Sequence, residues 1–565
     1  MISASLPSLA DLPAELSVSV IDVTHAVPQN LLEICTDDSF LFAGSDFTLL
    51  ARGIAHAFRL RSGLDDLHAI EDIVAVLRAI PVRTSSLLGS TPGRGPGDLF
   101  PAPPVVMAAM PFDRSAEAQL VLPQVLIAVP KTNAYRSHDV DGFRQGSRRD
   151  LASSSAPARK FQAVAIVTGN SSDHQALLEH HLGVMLGSAR FHEPSSSGSK
   201  ATFSVADVLA RDRFVDIVSF AIAIIGPAAP TPLGSKASLA TSSDPGRHPS
   251  SHRIDEVELA AIRERITRAG VNLANLEAAS ALDKLEKVVL AREVIVTADR
   301  RLSPRSIATR LSALELHSTV FAIDGFVGAS PELLISRFGA HVASRPLAGT
   351  LPPSTSALAR CATRETASAG SHTRDGAAEQ AGNALRLPPK DLAEHRFVVD
   401  AVAAALSPLC KDVDVPATPD IVHLHAVSHL GTHVSGLLEQ RRGRSGYVAL
   451  PSSLELLARV HPTPAVAGTP RTTALRFISA LEGFDRGRYA GPVGWMDSKG
   501  NGVWMLGIRG ATLAGNAARV ATGAGIVAGS DPLTELEETD HKLLSTLDAI
   551  TGATTAPKAI AGAHS

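Results

Sequence analysis

The chain has 565 residues, 45% of them hydrophobic and 19% charged, with a formal net charge of -3 at pH 7. That length builds one large core or two to three ordinary ones. The weak negative charge, without a basic stripe among aromatics, argues against nucleic-acid binding. The three cysteines, Cys35, Cys361 and Cys410, are far apart and form no C-x-x-C pair, which excludes a disulfide framework and a thiolate metal site.

Residues 1–30 read as an N-terminal tail without the basic and apolar regions of a secretion signal. The most apolar run, IVSFAIAII at 217–225, falls well short of the roughly 20 residues of a membrane span and reads as a buried strand. The expectation is a cytoplasmic protein without membrane contact. Within 31–227, DSFLFAG reads as a strand, and SDFTLLARGIAHAF as an amphipathic helix capped by Ser45 or Asp46. VVMAAMPFD and QLVLPQVLIAV read as buried strands. Ser, Pro and Gly dominate 131–160, 228–253 and 351–382, which are expected to be a loop insertion, a linker or insertion, and a mobile insertion.

Over 254–550 the pattern sharpens. DEVELAAIRERITRAG and KDLAEHRFVVDAVAAAL have helical apolar spacing, and LEKVVLAREVIVTA reads as a strand. GPVGWMD, VWMLGIRGATL and ARVATGAGI, separated by turns, form an antiparallel meander; residues 551–565 read as a tail. Strands come in runs with helices set apart, which predicts an α+β fold.

The segment VATGAGIVAGSDPLTELEETDHKL (520–543) is a glycine-rich strand end entering a short helix that ends near Lys542. GAGIVA within it matches a relaxed dinucleotide fingerprint, but that motif needs a helix starting inside it and further βα units after it. Here the helix starts later, at Asp531-Pro532, and too little chain follows. On this helix Glu535 and Glu538 share a face that Lys542 extends, and Asp391 and Glu394 repeat the i, i+3 spacing on KDLAEH. Two carboxylate stripes without a His or Cys cluster suit a hard cation such as Mg²⁺, although most such pairs are solvated helix faces.

The motifs KVVLAR (287–292), FVGASPELL (326–334), PLAGT (346–350), KDLAEH (390–395), HPTPAVAG (461–468), FDRGRYAGPVGW (484–495) and GAGIVAGSDPLTELEET (523–539) occur in this order. Together they resemble the chorismate-utilising enzymes, above all the isochorismate synthases. The resemblance is dense over about 255–545 and weaker over 35–130. It implies one large chorismate-binding domain, with antiparallel sheets enclosed by helices around a deep Mg²⁺-dependent site, and a monomer. It implies Glu394 and Glu538 as magnesium ligands, with Asp391 and Glu535 acting through water, so that the metal holds the ring carboxylate of chorismate. Tyr489, Arg509 and backbone N–H groups around Gly523 and Gly525 are then expected at the enolpyruvyl carboxylate, where guanidinium matches carboxylate geometry. Lys542 is expected to balance charge beside the metal, and Gly349, Thr350 and His429 to line the substrate pocket.

The family divides by nucleophile. Adding water at C2 and expelling the C4 hydroxyl requires a base and an acid; by resemblance these are Lys287 and Glu332. Anthranilate synthases carry glutamine in place of Lys287. Aminodeoxychorismate synthases carry a nucleophilic lysine where this chain has Ala348. The resemblance therefore implies an isochorismate synthase serving a siderophore, menaquinone or salicylate route. A salicylate synthase, which goes on to eliminate pyruvate, and a catalytically lapsed chorismate-binding protein stand as alternatives.

Overall fold

Lys287–Ala298 (KVVLAREVIVTA) is rich in valine and isoleucine, whose branched side chains suit a pleated surface, and it forms a buried strand paired on one edge with Ala517–Val527 and on the other with Phe203–Asp207 and Gly468–Thr469. The structure, a computed structural model, describes residues 16–45, 47–84, 101–130, 163–190, 201–226, 255–351, 388–442 and 448–553. The expected insertions at 131–160, 228–253 and 351–382 lie almost entirely outside the described residues.

Among the described residues, twenty strands join in one hydrogen-bonded network, beside a three-stranded and a two-stranded sheet. Among the described pairings, only Leu16–Asp22 with Val82–Thr84 is parallel. The N-terminal part contributes β1 (Leu16–Asp22), β2 (Phe40–Ala43), β3 (Phe47–Leu60), β4 (Val105–Ala109), β5 (Ala118–Pro130), β6 (Val164–Asn170) and β7 (Phe203–Asp207). The C-terminal part contributes β8 (Lys287–Ala298), β9 (Phe326–Ser330), β10 (Leu347–Leu351), β11 (Ser428–Gly431), β12 (Pro492–Asp497), β13 (Gly502–Leu506), β14 (Gly510–Ala514) and β15 (Ala517–Val527). Helices α1 (Arg211–Ile225), α2 (Pro389–Leu406) and α3 (Pro532–Thr551) frame the site. The architecture is α+β, and β8 contributes to two cores. Val288 and Leu290 enter one large apolar cluster, and Val294 and Val296 enter a second.

The structure departs from the sequence expectation in several places. Residues 47–60 are a strand, not a helix, because β3 is paired with both β2 and β5; neighbouring strands override a local helical pattern. Residues 217–225 belong to a helix. Phe214, Ile217, Val218, Ala221 and Ile225 are buried at helical spacing, a period that begins upstream of the apolar run itself. Residues 16–22, inside the expected tail, are the strand β1, paired with β6. VWMLGIRGATL is two strands broken at Arg509, whose φ is 52°. Finally, α3 is long: it continues through Lys542 to Thr551 and ends at Gly552, left-handed with φ 68°.

Candidate active site

β15 lies antiparallel to β8 along its whole length, with Val527 opposite Lys287, Gly525 opposite Val289 and Gly523 opposite Ala291. On its other edge β15 pairs with β14 only as far as Val520. The backbone from Ala521 onward therefore borders a cavity instead of a further strand. The cavity, about 70 Å³ in volume, is lined by Glu332, Gly349, Thr350, Glu394, His429, Tyr489, Arg509, Gly523, Gly525 and Lys542, along with apolar side chains such as Val289, Leu347 and Ile508. These are ten of the residues that the motifs single out. Lys287, Asp391, Glu535 and Glu538 stand behind this lining and are joined to it through their ion pairs and charges.

Each wall has a local cause. α3 starts where Asp531 accepts a hydrogen bond from the Thr534 N–H and Pro532 occupies the first turn; from there Glu535, Glu538 and Lys542 share one face. α2 passes so close to β10 that a Cβ on Gly349, which has φ +74°, would meet the Asp391 carbonyl oxygen at 2.8 Å. A Cβ on Gly525 would stand 2.0 Å from Glu394 Oε1. Glycine at both positions lets α2 bring its carboxylates against the β15 backbone.

Three ion pairs cross the acidic side. Lys287 Nζ lies 3.0 Å from Glu394 Oε1, Lys390 Nζ 2.5 Å from Glu535 Oε1, and Lys542 Nζ 2.5 Å from Glu538 Oε1. The carboxylates also act on one another. Burial, reinforced by the charges of Glu394 and Glu538, pushes Asp391 up to about 6. Burial and then the Glu538 charge push Glu535 up to about 7. Burial would raise Glu538 too, but the charge and hydrogen bond of Lys542 outweigh it and hold this carboxyl below its ordinary value. This all-oxygen donor set fits a hard divalent cation in chemistry. Among the described residues, however, no three His, Cys, Asp or Glu side chains converge on one point; the glutamates are turned onto lysines instead.

Opposite lies a cluster of hydrogen-bond donors. Arg509 Nη2 is 3.0 Å from His429 Nε2, and its Nη1 donates to the Lys542 carbonyl at 3.0 Å. A guanidinium only donates, so His429 Nε2 is the acceptor and Nδ1 carries the proton, 3.4 Å from the Gly349 carbonyl. Burial, aided by the Lys542 and Arg509 charges, pushes His429 down to about 3, in keeping with that neutral tautomer. Lys542 Nζ also donates to the Gly523 carbonyl at 3.0 Å. The Tyr489 hydroxyl reaches within 3.2 Å of where a Gly523 Cβ would stand.

Lys287 is fully buried, and neither its Nζ nor Glu332 Oε1 has a hydrogen-bond partner among the described residues. Burial pushes Glu332 up to about 8, against the opposing Leu347 N–H hydrogen bond and the Lys287 and Lys542 charges. The sequence reading missed Lys390 as the counter-ion of Glu535, although it opens the KDLAEH motif. It also missed Arg486, which stands in FDRGRYAG. Buried Arg486 pairs with Glu482, donates to the carbonyls of Val466 (2.7 Å) and Val289 (2.8 Å), and lies 5.8 Å from the Tyr489 ring centre, bracing one side of the cavity.

The cavity sets lysine and carboxylate side chains against an arginine–histidine–tyrosine cluster in a large antiparallel α+β fold, a lining suited to a small molecule that carries carboxylates. Residues 246–551, more than half of the chain, match the family described as Chorismate binding enzyme, and the chain belongs to that family. The isochorismate synthase DhbC of Bacillus subtilis (strain 168) is 37% identical over 279 residues, which cover 47% of this chain and 63% of that protein. The putative isochorismate synthase MenF of Mycobacterium tuberculosis (strain H37Rv) is 39% identical over 279 residues, 47% of this chain and 68% of that protein. Among solved structures, the putative 2,3-dihydroxybenzoate-specific isochorismate synthase DhbC of Bacillus anthracis superposes with a TM-score of 0.55 at 26% identity, covering 92% of this chain and 98% of that one. The menaquinone-specific isochorismate synthase MenF of Escherichia coli shares the fold, with a TM-score of 0.57 at 19% identity, over 97% and 96% of the two chains. Among the described residues, no helix is long and apolar enough to cross a membrane.

Proposed function

We propose that this protein is a magnesium-dependent isochorismate synthase, an isomerase acting on chorismate. One observation carries the reading: Glu332 on the cavity wall and Lys287 just behind it are buried ionisable groups that, among the described residues, each keep an atom without a hydrogen bond, and burial pushes Glu332 up to about 8. That is the arrangement an acid–base pair needs. Lys287 is the base that takes the proton of the water that adds at C2. As the double bonds shift, Glu332 gives its proton to the departing C4 hydroxyl. One water enters and one leaves, so the atoms balance as an isomerisation. Relatives named as isochorismate synthases support the same reading.

Glu394 and Glu538 would hold Mg²⁺ directly, with Asp391 and Glu535 acting through water; the bound ion would supply positive charge to the ring carboxylate. Arg509, Tyr489 and the β15 backbone near Gly523 and Gly525 would take the enolpyruvyl carboxylate, with Thr350 and His429 shaping the pocket between. The reading includes a cytoplasmic monomer that needs no partner beyond its substrate.

The test is to incubate the purified protein with chorismate and Mg²⁺, separate the products by chromatography and assay pyruvate. A chorismate–isochorismate mixture without pyruvate is expected. Salicylate with matching pyruvate would make the protein a salicylate synthase. Chorismate binding without turnover would make it a binding protein.

A further inference from the structure

Behind the acidic wall, on the far side of α3, lies a second group of charges that the proposed chemistry does not use. Arg292, on β8 and fully buried, donates to the Thr539 hydroxyl at 2.8 Å, to Asp207 Oδ1 at 3.1 Å and to Asp540 Oδ1. Arg211, in the first turn of α1, grips Asp540 with both of its terminal nitrogens, at 2.7 Å and 2.6 Å. Two positive and two negative groups thus join the end of β7, the middle of β8, the start of α1 and the middle of α3. At about 100° per residue, Asp540 lies about 140–200° round the helix from Glu535, Glu538 and Lys542. The charge cluster and the cavity residues therefore occupy opposite sides of α3.

We propose that Asp540, clamped by Arg292 and Arg211, is a positioning residue that fixes the rotation of α3 and so aims Glu535 and Glu538 at the cavity. The apolar residues of α3 do not define that rotation so sharply. Leu543, Leu547 and Ile550 enter the second core cluster, and apolar packing tolerates small shifts that a bidentate arginine–carboxylate grip does not. A buried ion network contributes little net stability over an apolar replacement, and its best-attested use is to select one register among several. Here the selected register is that of the helix carrying half of the carboxylates, and β8, which carries Arg292, also carries Lys287 five residues earlier on the other side of the pleat. One grip thus sets the metal-side helix against the strand of the proposed base.

The inference rests on the proposed magnesium site, so its test reads metal binding and helix order separately. Mn²⁺ binding to the substrate-free protein is measured by electron paramagnetic resonance, and amide hydrogen exchange is followed over 532–551, for the parent, Asp540→Asn and the milder Arg211→Gln. Supporting groups of this kind typically change metal affinity by about 10- to 100-fold. Asp540→Asn is expected to weaken Mn²⁺ binding by about tenfold and to speed exchange in α3, leaving exchange in β4 and β12 unchanged. Arg211→Gln should act in the same direction and less strongly, and it decides the matter if Asp540→Asn does not fold. Parental Mn²⁺ affinity and α3 exchange in a folded variant would overturn the inference. A parent that binds no Mn²⁺ would overturn the magnesium reading instead, and α3 exchange alone would then judge the positioning role.

Discussion

Glu332 follows β9 directly, with Pro331 before it, and reaches the cavity 3% exposed. With its carboxyl pushed up to about 8, it can donate a proton across the neutral range, which an ordinary glutamate cannot. Glu332→Gln keeps the shape and removes the proton; turnover should fall by about 10²–10⁴, the usual contribution of a positioned acid or base. Lys287→Ala should fall in the same range, and steady-state rates near those of the parent in either variant would remove that residue from the proposed pair. Arg509 is held by its contacts to His429 and the Lys542 carbonyl, and in the proposed reading it binds substrate without acting on the reacting carbons. Arg509→Ala should therefore act mainly on KM, raising it about 10- to 100-fold, as losing a charge-assisted hydrogen bond implies. An unchanged KM would put the enolpyruvyl carboxylate elsewhere.

At the scale of elements, α2 and α3 bring their carboxylates to one side of the cavity, and two glycines permit the approach. Gly525→Ala puts a methyl carbon 2.0 Å from the present place of Glu394 Oε1, so that carboxylate must shift from its seat beside Gly525 and Lys287. The expected result is loss of turnover and of Mn²⁺ affinity with little change in secondary structure; a variant that binds metal as the parent does would show that Glu394 does not need that seat. Much of this was legible in the sequence. The i, i+3 carboxylate spacing, the Asp531-Pro532 start of α3 and the strand reading of β8 all follow from local rules and agree with the structure. What local rules missed depends on distant chain. β3 looks helical until β2 and β5 pair with it, and 217–225 looks like a strand until Phe214 upstream supplies the helical period. Pairing Lys390 with Glu535 needs two helices, 145 residues apart in sequence, to meet.

For the whole molecule, the buried titrating groups divide into two opposing sets. Burial lifts Glu332 to about 8, Glu535 to about 7 and Asp391 to about 6. Burial also depresses His395 and His461 to about 4 and His429 to about 3. A raised carboxyl keeps its proton in the folded state after the unfolded chain has lost it, so stability falls as pH rises from the unfolded value to the folded one. A depressed histidine does the reverse: its contribution is present above the unfolded value near 6.5 and is lost as pH falls toward 4. Between about 4.5 and 6.5 the two sets oppose each other. At about 6.5 the unfolded histidines are still half protonated and fade out only above about 7.5, so the raised carboxyls prevail above about pH 7. The metal-free protein should therefore lose stability between about pH 7 and 8, with Glu332 alone contributing about 1 kcal/mol at up to about 1.4 kcal/mol per pH unit. Urea unfolding across this range in EDTA measures the slope, and Glu332→Gln should flatten it and also steepen the rise between about pH 4.5 and 6.5, where Glu332 opposes the histidines. A parental stability that stays level or rises from about pH 7 to 8 would mean that Glu332 is not held protonated in the fold, and the proposed acid would lose its proton at the pH where it has to act.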